Sequence, residues 1–294
     1  MKLPRRAILA VLVTVCAATA APLAAQTLPP LVLRLPGSTR SAGFNGAGVS
    51  LLGDAAAVFV NPAGLAIIRN IAVEGTYRRT KTGEYVATAA GAWRLRQFDV
   101  GGGMQYVGPA TAGPRNTEIL GVGSLVYRFG LIALGASVKD LRLNTAGVRD
   151  RAVGADLGLA VAVFDILALA FSVQNVGGNL RDASSIALPR LSRFGFTMNY
   201  VDPQESFRLR SVLEVQWPET RGTRVVIGGE VETVLKGVGV VGRLAYGSRW
   251  AGYQPAAVTY GASVVLGRVI ADYAFEPTPA LPDSRHRIGL RLEL

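Results

Sequence analysis

From Asn70 to the C-terminus, bulky apolar residues recur at every second position. Between Ala152 and Val173, Val153, Leu157, Leu159, Val161 and Val163 share one parity, while Gly154, Asp156, Gly158, Ala160 and Ala162 share the other. After a tight turn at Phe164 and Asp165 the pattern resumes, with Leu167, Leu169, Phe171 and Val173 against Ala168, Ala170, Ser172 and Gln174. A period of two belongs to strands. A helix through these residues would bury Asp156 and Asp165 without partners. A barrel hairpin instead puts Asp156 in a polar lumen and Asp165 at the membrane surface.

The alternation recurs downstream. Phe194, Phe196, Met198 and Tyr200 oppose Arg193, Gly195, Thr197 and Asn199. Leu209, Leu213, Val215 and Trp217 oppose Arg208, Arg210, Glu214 and Gln216, and Val225, Ile227 and Val231 oppose Arg224, Glu230 and Glu232. A soluble sandwich alternates too, with its apolar face inward, so period alone does not choose between the two. Turn lengths do. Strands meet with almost no linker at Gln97/Phe98, Gly130/Leu131, Asp165, Lys236/Gly237 and Arg268/Val269. The other connections are longer and rich in Gly and Pro, including Val107 to Glu118, Asp140 to Arg151 and Gly177 to Arg190. Short turns on one side and long loops on the other predict an all-β fold, an antiparallel transmembrane barrel of about fourteen strands with both termini in the periplasm. Tyr77, Trp93, Tyr106, Tyr127, Trp217, Tyr246, Trp250, Tyr260 and Tyr273 supply interfacial aromatics.

Composition fits export to an outer membrane. Half of the chain is hydrophobic, only 17% is charged, and there are 35 glycines. After the N-terminus no stretch of about 20 apolar residues is free of charge, which argues against membrane-spanning helices. Residues 1–25 read as a signal peptide, with basic Lys2, Arg5 and Arg6, an apolar run from Ala7 to Ala18, and cleavage between Ala20 and Ala25. Its removal takes three positive charges and no acid, lowering the formal charge from +11 to +8. Cys16, the only cysteine, leaves with it, and Val15 before it disfavours a lipoprotein. The basic balance of an exported chain points to outer-membrane lipid headgroups and away from nucleic acid.

Residues 26–69 do not alternate and predict a plug, or hatch, before the barrel of residues 70–294. Small residues through Asp54, Ala55, Ala56 and Ala57, followed by Asn61-Pro62, read as a short helix ended by a turn. The pattern G-D-A-x-x-x-F-x-N-P-A-G-L-A, Gly53 to Ala66, resembles the N-terminal signature of the PorV/PorQ family, relatives of the fatty-acid transporter FadL. The segments Ala170 to Gly178, Tyr260 to Pro277 and His286 to Leu294 resemble the family's mid-barrel and final strands. The resemblance implies a fourteen-stranded barrel with an internal hatch containing Gly53, Asp54, Asn61, Pro62, Ala63 and Gly64. These residues are either part of a gate or a static plug that caps a helix and fills the lumen. The last strand places Arg287, Gly289, Leu292 and Leu294 at the spacing that barrel-insertion machinery reads, with Leu294 where an aromatic is commoner.

Little here suggests an enzyme. His286 is the only histidine, and it shares the parity of Ile288 and Leu290 at the membrane interface. No catalytic, cofactor-binding or metal-ligating set is expected, since there is no G-x-S-x-G elbow, phosphate loop or Cys/His cluster. Inward-facing charges do cluster in the second half: Arg208, Arg210, Glu214, Arg224, Glu230, Glu232, Arg243, Asp272, Arg287 and Arg291. They read either as an ion-pair ladder bracing the wall and hatch or as the selectivity lining of a channel.

The PorV/PorQ resemblance implies a docking platform in a type IX-like secretion and surface-attachment pathway, engaging secreted cargo or secretion-system subunits through the long loops. The alternative is a FadL-like transporter of hydrophobic small molecules. A structural barrel without cargo is the third reading. Fold alone does not choose among them.

Overall fold

The computed structural model describes residues 29–110, 116–164, 166–180, 186, 188–202, 207–249, 256–281 and 283–294. Fourteen antiparallel strands close into a barrel: β1 Ile71–Arg79, β2 Tyr85–Leu95, β3 Phe98–Gly108, β4 Thr117–Phe129, β5 Ile132–Thr145, β6 Val148–Val163, β7 Leu167–Val176, β8 Leu191–Val201, β9 Phe207–Pro218, β10 Arg224–Leu235, β11 Val238–Gly247, β12 Val258–Leu266, β13 Val269–Phe275 and β14 His286–Glu293. Each strand pairs with its sequence neighbour, and β1 closes on β14 through Thr76 opposite Gly289 and Tyr77 opposite Ile288. Closure leaves no unpaired sheet edge, the condition for a sheet in hydrocarbon.

The parity read from the sequence holds in space. Leu157, Leu159, Leu209, Leu213, Trp217, Ile227 and Val231 are exposed on the outer face. Asp156, Glu214, Gln216, Arg224 and Glu230 are buried inside. Among the described residues no helix is long and apolar enough to cross a membrane.

Three connections differ from the reading above. The tight turns before β3 and β13 lie one residue earlier, at Arg96/Gln97 and Gly267/Arg268. More substantially, Asp140 to Arg151 is not a long loop. β5 and β6 continue to Thr145 and Val148, joined only by Ala146 and Gly147, both at positive φ (52° and 90°). That is the backbone a two-residue hairpin needs, and the polar composition of the strand ends disguised it. Asp165, Trp250 and the centres of the Val107–Glu118 and Gly177–Arg190 loops lie outside the described residues.

Residues 29–68 fill the barrel. They contain little regular structure: short α-turns at Leu31–Arg34 and Thr39–Gly43, then 3₁₀ turns at Ala55–Phe59 and Pro62–Ile67. Phe44, Val49, Val58, Ala63 and Leu65 are fully buried. Inward-facing wall glycines let this segment approach the strands. A Cβ on Gly135 would lie 2.5 Å from the Ala63 nitrogen, and one on Gly228 would lie 2.7 Å from the Phe44 ring. The hatch is seated against bare backbone there.

Candidate functional site

The Asn-Pro-Ala-Gly-Leu motif is a seat. Asn61 is completely buried, and its Oδ1 accepts from the Ala63 N–H (3.1 Å), capping the Pro62–Ile67 turn with Pro62 at its first position. Its Nδ2 donates to the Val49 carbonyl (2.9 Å), tying two hatch segments together. Gly64 packs against Ala57, where a Cβ would come within 2.7 Å, and Leu65 covers Gly101 of β3. The Gly53 N–H donates to the Gly64 carbonyl (2.8 Å), closing the loop between them, and Gly53 holds φ 94°.

Asp54 does not cap the turn that follows it; its side chain makes no cap hydrogen bond. It faces two guanidiniums instead. Arg40 donates to it at 3.0 Å and Arg291 of β14 at 2.9 Å. Arg40 also pairs with Glu230 of β10 (3.0 Å). Arg243 joins Glu230 (3.1 Å) to Asp272 (3.4 Å), and Arg291 reaches Asp272 at 2.7 Å. Arg210 and Ser263 complete the cluster through Glu230 and Asp272, and Glu74 of β1 is buried beside it. The hatch is thus held to the wall by Arg40–Glu230 and Asp54–Arg291. Such buried pairs add little net stability over an apolar filling, but losing one partner strands a buried charge.

A second set holds hatch backbone. Glu214 accepts the Gly48 and Val49 N–H groups (2.7 and 2.9 Å) together with Arg193 (3.0 Å) and Gln216 (2.7 Å). Arg224 donates to the Asn45 carbonyl (3.0 Å), Arg287 to that of Pro36 (2.7 Å), Gln174 to that of Phe59 (2.8 Å) and Thr259 to that of Gly43 (3.0 Å). An irregular segment cannot satisfy its own polar groups, so wall side chains take them. Of the ten inward charges read from the sequence, eight belong to these two sets. Arg208 and Glu232 stand apart, pairing at 3.5 Å at the short-turn end with side chains 46% and 26% exposed.

Sequence reasoning missed Arg40, because the hatch has no period to assign its direction. It also placed the charges too narrowly in the second half. Lys139–Asp156 (2.8 Å), Arg128–Asp99 (2.8 Å) and Arg78–Glu276 (3.1 Å) carry ion pairs around the rest of the lumen. Parity would have found the wall members, since Arg78 shares the inward parity of Glu74 and Thr76. In the last strand Arg287 and Gly289 face inward and Leu292 and Leu294 follow the outward parity, while His286 lies outside with Nδ1 2.7 Å from the Tyr273 hydroxyl.

Above the hatch, at the long-loop end, lies a cavity of about 140 Å³. Val32, Leu33, Leu35, Phe59, Val60 and Leu120 give it an apolar side, and Gln105, Lys139, Gln174, Arg193, Gln216 and Arg224 a polar one. A smaller space of about 50 Å³ lies on the opposite side of the hatch, lined by Arg40, Leu51, Leu52, Ala168, Asn199 and Arg210 among others. Among the described residues no group of three His, Cys, Asp or Glu side chains could hold a metal.

The architecture matches solved bacterial outer-membrane barrels. The toluene transporter TbuX of Ralstonia pickettii superposes with a TM-score of 0.60 over 88% of this chain and 98% of its own, at 14% identity. A FadL homologue of Pseudomonas aeruginosa gives 0.59 over 87% and 98%, at 12% identity. The toluene transporter TodX of Pseudomonas putida gives 0.56 over 87% and 97%, at 11% identity. No family model and no curated protein matches the chain. At these identities the likeness is one of fold: a closed antiparallel barrel of fourteen strands.

Proposed function

We propose that this barrel is a non-enzymatic conduit that admits small hydrophobic molecules through the outer membrane. The observation that carries the reading is the cavity of about 140 Å³ between hatch and long loops, with its apolar side of Val32, Leu33, Leu35, Phe59 and Leu120. A concave, mostly preformed space with a few polar groups is what small-molecule sites use. With the termini and short turns in the periplasm, this cavity faces outward and the smaller one lies on the periplasmic side of the hatch. The hatch then separates a receiving pocket from an exit. Its motif residues Asn61, Pro62 and Gly64 anchor it, and the charges around Arg40 and Asp54 are what an opening would have to rearrange.

Transport is favoured over the secretion platform because the solved barrels of like fold include toluene transporters. Of the regions offered for cargo docking, Asp140 to Arg151 is a continuous hairpin and so gives no long loop to a partner. The test is uptake of radiolabelled toluene by proteoliposomes containing the purified barrel. Uptake above protein-free vesicles, reduced by filling the cavity with Val32→Trp, supports the conduit. Uptake equal to protein-free vesicles, together with a secreted proteome altered by deletion, would return the secretion reading.

A further inference from the structure

The cavity is not dressed for a pure hydrocarbon. Among the described residues that line it, six carry positive charge, namely Arg34, Lys139, Arg190, Arg193, Arg221 and Arg224, against the carboxylate of Glu276 in the lining and those of Asp156 and Glu214, which pair with Lys139 (2.8 Å) and Arg193 (3.0 Å) in the wall. Gln105 on β3 also lines it, only 1% exposed, and its amide nitrogen has no hydrogen-bond partner. The barrel register extends this donor into a row. Thr88 of β2 lies directly across from Gln105, and Thr76 of β1 directly across from Thr88. Both threonines are buried and both hydroxyls lack a partner. Buried polar groups are rarely left unmade, because each costs the desolvation of an unsatisfied donor. Three adjacent strands each contribute one here, and the row opens onto the cavity at Gln105.

Size narrows the ligand further. A cavity of about 140 Å³ is close to the ~150 Å³ engineered apolar cavity that accepts benzene. It holds one ring or a chain of similar bulk.

Building on the conduit reading, we propose that the cavity binds compact organic anions, a single ring bearing a carboxylate. The ring packs against Val32, Phe59 and Leu120, and the carboxylate accepts from the Gln105 amide within the positive lining. Neutral hydrocarbons enter the same space and leave the Gln105 row unsatisfied.

The experiment measures benzoate and toluene side by side, as binding to the purified barrel in detergent and as uptake into proteoliposomes. Wild type should bind benzoate at least tenfold more tightly than toluene. Gln105→Leu, close in volume and without the amide, should weaken benzoate about tenfold, the worth of a hydrogen bond to a charged group, and lower the benzoate-to-toluene ratio. Gln105→Glu, which keeps the shape and adds a like charge, should weaken benzoate further and improve binding of benzylamine. Heat-modifiable mobility on gels checks that each variant is folded, and either variant alone suffices. If toluene enters but benzoate neither binds nor enters, the anion proposal fails and the conduit stands. Benzoate affinity within twofold of wild type in a folded variant would also overturn the proposal. If neither compound enters, the conduit reading fails with it.

Discussion

Gly158→Ala is the smallest change that tests how the hatch is seated. The added methyl would lie 2.0 Å from the Asn61 Oδ1 and 3.1 Å from the Ala63 nitrogen, so Asn61 has to leave. Its departure breaks the bond from the Ala63 N–H (3.1 Å) and the one to the Val49 carbonyl (2.9 Å). Each is worth about 1 kcal/mol net, and a backbone group left buried and unpaired costs about 1–3 kcal/mol more. The expected loss is about 3 kcal/mol of unfolding free energy, read by urea titration of the barrel in lipid vesicles. Single-channel recordings should show added conductance as the hatch loosens. Asn61→Ala removes the clashing amide, so the double variant should be less damaged than the sum of the two, with a coupling of at least about 1 kcal/mol. A Gly158→Ala barrel within about 0.5 kcal/mol of wild type, or an additive double variant, would refute the reasoning.

Asp54→Asn leaves Arg40 and Arg291 facing each other with less negative charge between them, and should cost about 3–5 kcal/mol in the same titration. Glu214→Ala frees the Gly48 and Val49 N–H groups and strands Arg193; a loss of about 2–4 kcal/mol with raised conductance is expected. Exposed pairs behave differently. Arg142→Ser breaks a contact whose arginine side chain is 62% exposed and should change stability by less than about 1 kcal/mol. Leu213→Arg, on the lipid face in the middle of β9, should destabilise the barrel by about 2–4 kcal/mol if the strands cross the bilayer as assigned; a neutral effect would undo that assignment.

The strand count, the inward or outward direction of nearly every wall residue, and most tight turns were legible in the sequence. The reason is local: a pleated backbone sends Val161 one way and Ala162 the other whatever surrounds them. The hatch motif was legible as a non-alternating interruption. What Gly158, Asn61 and Asp54 do was not, because it depends on which strand each hatch residue meets. Asp54 reads locally as a helix-capping residue, yet 237 residues along the chain Arg291 waits for it. Arg40 carries no periodic signal at all, and the polar ends of β5 and β6 read as a loop because they rise out of the apolar band that alternation tracks. The cavity and the Thr76–Thr88–Gln105 row exist only once barrel closure and inter-strand register are set. Periodicity fixes a direction within one strand; only tertiary structure decides what stands opposite.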